Sequence, residues 1–373
     1  MRRQRVAARA RRAIIPTAMK TQIPSITIGL DLGDKKHAIC VLNQDGDIID
    51  ERSITNHRES LRRLSQKYPQ SRIAFEVGSH SPWIKRFLSE LGHEVFVANP
   101  RKLRAIYTSD RKSDKNDARM LAKIARLDPQ LLHPIEHGTE QAQRDLLQIK
   151  LRDNLVRQRV DIISSVRFTL KSLGIRLPSP NSACFAKRCR NLLATDHAQL
   201  LAMIEPSLQV LDIMTQKIRE LDRAIEALSE EKYPVTQRLR QITGIGPITA
   251  LTYVLTIEDP QRFERPRDVA AYLGLVPKRD QSGALDKQLR ISKAGDTYLR
   301  SLLVGCAQYI LGPFGPDTDL KRHGLMLAAQ GGARSKRKAV VAIARKLAVL
   351  MLVLWKHQRD YEPLRQCDDS QAA

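Results

Sequence analysis

The sequence predicts an α/β domain in the first third of the chain and a mostly helical structure in the remainder. Short runs rich in β-type residues alternate with helical segments over residues 25–99, and from residue 141 onward apolar side chains recur at spacings of three and four. With 373 residues and 42% hydrophobic content, the chain can bury a sizeable core. These observations favour about two or three folded domains and exclude a wholly disordered chain.

The first domain, expected over residues 25–135, has the element order β-β-β-α-β-α-β. Its strands are ITIGLDLG, HAICVL, DIIDERSI, RIAFEVG and HEVFVAN, and its helices are HRESLRRLSQKY and SPWIKRFLSEL. The Asp-Gly pair at 45–46 is a turn signal, so the first three strands form a meander. This order is typical of ribonuclease-H-like (RuvC-like) α/β folds, in which the first and fourth strands lie side by side. A further helix over 114–125 closes the domain.

A helical linker region is expected over residues 136–235. One helix covers 141–173, a Pro-rich loop follows at 177–184, and a second helix carries an a/d pattern of apolar residues. The pattern consists of Leu211, Met214, Ile218, Leu221, Ile225 and Leu228. It is compatible with a dimer-forming coiled coil and equally with an antiparallel hairpin within one chain.

The last folded region, residues 236–360, is expected to be mainly α-helical. Gly244 and Gly246, in the segment TGIGPITA, join the first helices of this region. The arrangement is similar to helix-hairpin-helix units, in which backbone amides at a helix N-terminus bind phosphate. The alternative is a simple turn whose backbone conformation needs glycine. A basic loop follows, with Lys278, Arg279, Lys287, Arg290 and Lys293 as the expected nucleic-acid contacts. The flanks at 1–24, a basic arm, and 361–373 are predicted to be disordered.

The charge balance points to a polyanionic partner. The chain has 63 Lys and Arg against 40 Asp and Glu, a formal net charge of +23. This excess favours nucleic acid over an anionic membrane and disfavours small neutral metabolites. The longest clean apolar run, 347–355, is far shorter than the roughly 20 residues of a membrane-spanning helix. Five cysteines without a CxxC pair indicate a reducing compartment, so a cytoplasmic location is expected.

Four carboxylates form the strongest candidate site. Asp31 ends the first predicted strand and Glu76 ends the fourth, so the expected strand pairing brings them together. Asp114 and Asp117, three residues apart at the start of a helix, share one helix face. Converging carboxylates repel one another unless a cation binds between them, and Mg²⁺ suits oxygen ligands and phosphodiester chemistry. Two Mg²⁺ ions are expected, and Mn²⁺ is expected to be able to substitute. Singly, each residue has a plainer role, such as an N-cap for Asp114; jointly they predict a metal site.

The sequence resembles the DEDD transposases of bacterial and archaeal insertion sequences, which include bridge-RNA-guided recombinases. The resemblance covers residues 25–311 and rests on IGLDLGDKKHAICVL, FEVGS and SDRKSDKNDARMLAKIAR in the first half. In the second half it rests on TGIGPITA, AYLGLVP and ISKAGDTYLRSLL. Both halves match independently and in the family's order. The resemblance implies a DNA transposase and site-specific recombinase acting on a donor and a target DNA.

The resemblance also assigns residues and partners. The family's acidic ligands fall on the four carboxylates above, and its nucleophilic serine falls on Ser282, with Ser292 as the fallback. The usual Ser-Ser-Gly-Gly reads Gln-Ser-Gly-Ala here, so the local loop is expected to differ. The resemblance further implies a structured guide RNA, a dimer or tetramer held by the central helices, and a nucleoid-associated prokaryotic protein. None of the nine histidines has a spacing that indicates acid-base or metal chemistry, and they are interpreted as structural.

Three other functions are open on the residues alone. A metal-dependent Holliday-junction resolvase or nuclease would use the same carboxylates with water and would need no serine. An actin-like or sugar-kinase-like ATPase would account for the Asp-Leu-Gly at 31–33, but no second Asp-x-Gly turn or adenosine loop follows. A non-catalytic DNA- or RNA-binding protein would keep the fold without activity, and the presence of all four carboxylates argues against it.

Overall fold

The computed structural model describes residues 25–103, 113–177, 181–282 and 285–364. The basic arm expected at 1–24 and most of the tail expected at 361–373 lie outside these ranges. The chain divides into two compact units between His137 and Gly138. The further boundary predicted at residue 235 stays a prediction.

The first unit is built on a five-stranded mixed sheet with the order β3-β2-β1-β4-β5. Its strands are β1 (Thr27–Leu32), β2 (Lys36–Leu42), β3 (Ile48–Thr55), β4 (Arg72–Glu76) and β5 (Glu94–Ala98). The first three form an antiparallel meander, β4 pairs in parallel with β1, and β5 pairs in parallel with β4. The predicted element order and the pairing of the first and fourth strands are therefore confirmed.

Helices cover both faces of this sheet. α1 (Arg58–Lys67) and α2 (Ser81–Glu90) pack on one face through Leu, Ile and Phe side chains. α4 (Asp114–Leu127) packs on the other face, where alanines of the helix and of β2 allow a close approach. In the sequence, the short helix α3 (Pro100–Leu103) lies between β5 and α4, and a 3-10 turn (Pro129–Leu132) follows α4. The result is a three-layer α/β unit.

Two long helices open the second unit, α5 (Glu140–Ser172) and α7 (Ala198–Glu231). α6 (Phe185–Leu193), which follows a 3-10 turn (Ser182–Cys184), packs against both. The predicted a/d pattern of α7 faces α5: Leu211 is buried in a cluster with Ile163, and Ile225 in a cluster with Ile149. Because later residues of α7 contact earlier residues of α5, the two helices form the antiparallel hairpin that was one of the two predicted alternatives.

The remainder of the second unit packs around one large apolar core. Its helices are α8 (Val235–Arg240), α9 (Pro247–Ile257), α10 (Asp268–Tyr272), α11 (Thr297–Leu311), α12 (Asp319–Ala328) and α13 (Gly332–His357), with a 3-10 turn at Pro260–Arg262. α13 supplies much of the core, including Leu347, Met351 and Trp355. No helix within the described ranges is both long and apolar enough to cross a membrane.

The basic segment after α10 is not the loop that the sequence predicted. It forms an antiparallel β-hairpin of β6 (Pro277–Ser282) and β7 (Leu285–Ile291). The hairpin is stabilised by backbone pairing rather than by burial, since five of the six residues of β6 are exposed. Without a buried face there is no apolar alternation along these strands, and the sequence pattern therefore favoured a loop.

Candidate active site and nucleic-acid interface

β1 and β4 end at the same edge of the sheet. Their register pairs Leu30 with Phe75, so Asp31 and Glu76 are the next residues on two adjacent parallel strands. Side chains alternate between the two faces of a sheet, so residues two apart on a strand share a face. Gly29 lies two residues before Asp31, and Ala74 lies two residues before Glu76. Both lie on the face that α4 covers. Asp31 and Glu76 therefore belong to the α4 face of the sheet.

α4 runs antiparallel to β1 and β4. Near its start, Ala118 lies directly over Gly29, where an added β-carbon would be 2.0 Å from the Ala118 carbonyl oxygen. Near its end, the Ala125 carbonyl oxygen accepts a hydrogen bond from Nη1 of Arg72, the first residue of β4, at 3.1 Å. The first turn of α4 therefore lies at the edge where β1 and β4 end.

That first turn contains Asp114 and Asp117. The helix is capped by Ser113, whose side chain accepts a hydrogen bond from the Asn116 amide at 3.3 Å. The capping role considered for Asp114 is thus filled by its neighbour, and the Asp114 carboxylate lies in the helix, where it is exposed.

All four predicted carboxylates share one edge and one face of the first unit. Their oxygen donors match the chemistry of a hard divalent cation. Within the described ranges, however, no three His, Cys, Asp or Glu side chains are grouped closely enough to hold a metal ion. The backbone brings the four residues to a common edge, and the convergence of their side chains on an ion stays a prediction.

A histidine–aspartate pair lies at the same edge, next to these carboxylates. His80 Nε2 is 3.3 Å from Asp34 Oδ1, and Trp83 Nε1 donates to His80 Nδ1 at 3.4 Å. Because the indole N–H can only donate, Nδ1 is the acceptor and Nε2 carries the proton shared with Asp34. This pair is not apparent from the sequence, because Asp34 and His80 lie in the loops that follow β1 and β4, whose conformations the element order does not fix.

Other polar groups of the first unit have plainer roles. Hydrogen bonds from Arg119 of α4 hold the pKa of Glu51, on β3, below its usual value and tie the helix to the sheet. His37 of β2 is fully buried, and burial lowers its pKa, so that the neutral imidazole predominates. A structural role, as predicted for the histidines, fits His37.

In the second unit, Ser282 is the last residue of β6 and pairs with Leu285 across the tip of the hairpin. It is exposed, and residues 283 and 284 of the turn lie outside the described ranges. Asp280 and Lys287 form the next cross-strand pair on the same face as Ser282. Ser292, the fallback residue, lies at the opposite end, where its amide donates to the Val276 carbonyl oxygen at 2.8 Å.

The predicted basic residues are distributed over this hairpin and its exit. Lys278, Arg279, Lys287 and Arg290 are exposed on the two strands, and Lys293 follows β7 with a positive φ of 54°. Arg279 is 3.5 Å from Asp286, on the face opposite Ser282. Of the predicted cations, Lys287 is therefore the one that lies next to Ser282 on the same face of the hairpin.

Arg300 anchors the base of the hairpin, a role that the sequence analysis did not assign. Its buried guanidinium donates to the carbonyl oxygens of Leu273 at 2.9 Å and Ala294 at 2.6 Å, and to the Thr297 hydroxyl at 3.1 Å. These acceptors lie on the segments before and after the two strands. This side chain therefore helps the backbone hydrogen bonds to close the base from which Ser282 is presented.

Gly244 and Gly246 lie in the turn between α8 and α9. Gly244 has a φ of +94°, and a β-carbon there would meet the Tyr309 ring at 3.0 Å, so its backbone and packing both need glycine. Gly246 is the N-cap of α9, and a β-carbon there would meet nothing within 4 Å. Both line an open groove of about 560 Å³ between α9 and α11. The conformation and packing of Gly244 explain its glycine structurally, and phosphate binding at Gly244 and Gly246 stays a prediction.

Comparison with known proteins identifies relatives along most of the chain. Residues 28–175 match a family model for DEDD transposases of the IS110 type, described as a transposase, and residues 236–318 match the transposase IS116/IS110/IS902 family. The first match contains the four carboxylates, and the second contains Ser282 and the hairpin.

Individual relatives agree with these matches. The chain is 28% identical to a probable family 20 transposase of Pseudomonas aeruginosa over 90% of its length and 98% of the relative. It is 27% identical to the transposase for insertion sequence element IS1111A of Coxiella burnetii, over 90% of each protein. A pilin gene-inverting protein of Moraxella lacunata is 28% identical over 40% of the chain and 46% of the relative.

Proposed function

Because the chain belongs to the IS110/IS116 family of insertion-sequence transposases, we propose that it cuts and rejoins DNA by attack of Ser282 on a phosphodiester, assisted by Mg²⁺. The observation that carries the proposal is the common edge of β1, β4 and α4, where Asp31, Glu76, Asp114 and Asp117 lie. This arrangement also supports a ribonuclease-H-like, RuvC-like fold for the first unit.

In the proposed reaction, Ser282 Oγ bonds to phosphorus and the bond from phosphorus to one strand breaks. The electron pair of that bond stays on the leaving strand oxygen, which takes up a proton, while the serine proton passes to water at the exposed hairpin tip. The phosphoserine ester retains the bond energy, so a strand hydroxyl can later displace the serine and rejoin the DNA. Lys287, on the same face, neutralises charge that develops on the phosphate.

The four carboxylates would hold the metal ion. When bound, Mg²⁺ supplies charge stabilisation at the scissile phosphate. The residues themselves contribute oxygen donors from two strands and one helix turn, and Ser113 holds that turn in place through its cap. Mn²⁺ accepts the same donors and is expected to substitute.

Guidance by a structured RNA is the part of the proposal that the family resemblance carries. If a guide RNA recognises the target DNA by base pairing, the protein needs contacts with the nucleic-acid backbone more than with the bases. Exposed Lys and Arg side chains suit such backbone contacts. DNA as substrate and RNA as guide also agree with a location at the prokaryotic nucleoid.

Assembly of two or four chains is supported by exposed apolar side chains on the long helices α5 and α7. Large apolar side chains are exposed there: Phe168 on α5 is 71% exposed, and Met203 and Ile213 on α7 are 75% and 60% exposed. These residues leave apolar surface for a second hairpin to cover, forming a coiled-coil contact between chains.

A nuclease that uses water is the second candidate. It is favoured by the fact that all four carboxylates come from the first unit, before residue 138. Hydrolysis would then need no side chain from the hairpin.

One experiment separates the two candidates. The full-length chain and Ser282→Ala are each co-expressed with the DNA that flanks the gene, the lysates are denatured, and DNA covalently attached to protein is measured. Ser292→Ala is the matched control. Strand transfer predicts an adduct in the native chain and in Ser292→Ala that is lost in Ser282→Ala. Cleaved DNA without an adduct in any of the chains would contradict the serine mechanism and favour the nuclease.

A further inference from the structure

The last two helices of the second unit belong to a stretch of chain that has cations and no carboxylates. Residues 320–359 contain ten Lys and Arg and no Asp or Glu. The stretch begins beyond residue 318, where the second family match ends. So dense a single-sign charge produces a strong local field, which attracts polyanions.

α13 carries four of its cations near its N-terminal end, where the helix dipole disfavours positive charge. Arg334, Lys336, Arg337 and Lys338 lie in its first two turns, with no acidic residue in the first turn and no side-chain cap. The aligned peptide dipoles place about half a positive charge at a helix N-terminus, so these cations are repelled there rather than stabilised. A bound anion would remove that repulsion.

Three of the cations form a stripe on the outer face of α13. Arg334, Lys338 and Arg345 follow spacings of four and seven, which share one side of a helix, and all three are exposed. The opposite side holds Ile343 and Leu347 in the core. At about 1.5 Å per residue the stripe is roughly 16 Å long, which corresponds to about five phosphates on one strand of a duplex.

Among the residues that the structure describes, no carboxylate pairs with the stripe. Two carboxylates that flank this stretch of chain have other partners: Asp317 binds Arg322 at 2.6 Å, and Asp360 accepts from Gln241 at 3.0 Å. In the part of the chain that the structure describes, the three stripe residues form no ion pair. Nearby, burial and the charge of Lys346 lower the pKa of His323, in keeping with a positive field.

We propose that the outer face of α13, from Arg334 to Arg345, binds the phosphodiester backbone of nucleic acid, as a surface separate from the Ser282 hairpin. Arg and Lys side chains along one side of a helix neutralise phosphates and carry no base-reading pattern, so the binding is independent of sequence. The inference rests on the proposed function only in that the chain acts on nucleic acid.

Two full-length triple variants test the proposal. The first, Arg334→Ala, Lys338→Ala and Arg345→Ala, removes the stripe. The second, Lys150→Ala, Lys187→Ala and Arg188→Ala, removes three exposed cations from α5 and α6, so both variants lose the same net charge. Binding to a duplex DNA of arbitrary sequence and to an RNA hairpin of equal length is measured by fluorescence anisotropy across a range of salt concentrations.

On duplex DNA, loss of the stripe is expected to reduce the slope of log K against log salt by about 2–3, since each phosphate contact contributes about 0.9. The control triple is expected to change the slope by less than about one. Arg345→Gln alone should reduce it by about 0.9 and guards against a folding defect in the triple. The nucleic acid with the larger change identifies DNA or RNA as the occupant.

Equal slopes for the two triple variants on both nucleic acids would overturn the α13 surface and leave strand transfer intact. A native chain that binds neither DNA nor RNA would overturn both proposals.

Discussion

Gly29 lies directly beneath Ala118, so closely that a β-carbon on Gly29 would be 2.0 Å from the Ala118 carbonyl oxygen and 2.6 Å from the Ala122 amide nitrogen. β1 and α4 therefore meet backbone against backbone. This contact fixes how far the first turn of α4 extends past the end of β1, and with it the position of Asp117 relative to Asp31.

Gly29→Ala is expected to destabilise the first unit by about 1–3 kcal/mol or more, because the added methyl group meets rigid backbone and forces α4 away from the sheet. Urea unfolding of the full-length variant measures the effect. Gly305→Ala in α11 is the control: a β-carbon there meets nothing within 4 Å, so a stabilisation of about 0.5–1 kcal/mol is expected. Equal stabilities for the two variants would contradict the close contact.

Asp117→Asn is expected to remove Mg²⁺-dependent DNA cleavage and leave the unfolding midpoint nearly unchanged, because the amide keeps the shape but loses the charge that a cation needs. Cleavage of supercoiled plasmid at increasing Mg²⁺ concentration measures the loss. Asp45→Asn, in the exposed turn between β2 and β3, is the matched control, because it removes the same charge away from the site and keeps a residue that favours turns. Full activity in Asp117→Asn would exclude it from the ligand set.

Arg300→Met is expected to cost about 2–4 kcal/mol, since it leaves the buried carbonyl oxygen of Leu273 and the partly buried one of Ala294 without their charged donor. The base of the hairpin should loosen, and faster proteolysis within residues 277–291 should accompany the loss of stability. Arg188→Met on α6 has an exposed side chain and should have little effect on either measurement. The anchoring role fails if the hairpin of Arg300→Met resists protease as well as the native one.

Asp145 should contribute stability that is lost at acid pH. Burial raises its pKa, but the hydrogen bonds from Lys232, Tyr233 and Gln141 outweigh burial, and the net pKa is below the usual 3.8. A lowered carboxyl pKa stabilises the fold above 3.8, and this contribution disappears as the pH falls through the folded-state pKa. Asp145→Asn should therefore be less stable than the native chain at pH 7, by about 1–3 kcal/mol, with the difference shrinking below about pH 4.

Urea unfolding of both chains across this pH range provides the measurement. Asp161→Asn, an exposed carboxylate on the same helix, is the control and should show no such convergence. A pH-independent difference between Asp145→Asn and the native chain would mean that the lost stability does not come from the ionised carboxylate.

The sequence predicted the sheet of the first unit well because its strands carry a strong apolar pattern and its element order constrains the topology. Asp31 and Glu76 could be placed together from that order, and the register confirms their adjacency. The strands β6 and β7 could not be predicted, because the side chains described on them are almost all exposed. The contact of His80 with Asp34 could not be predicted either, since both residues lie in loops beyond the strand ends, where the element order does not fix the side-chain positions.

The hairpin of β6 and β7 is anchored at its base and exposed along its length, so its strand length sets both the reach and the orientation of Ser282. Each residue along a strand adds about 3.4 Å to the reach of the hairpin, and successive side chains point to opposite faces. Removing the cross-strand pair Gln281 and Asp286, one residue from each strand, would place the serine on the opposite side, the one that carries Arg279. Removing two would restore its side and only shorten its reach. The parity of the strand length, as much as the identity of the serine, therefore decides which side of the hairpin a bound phosphate must approach.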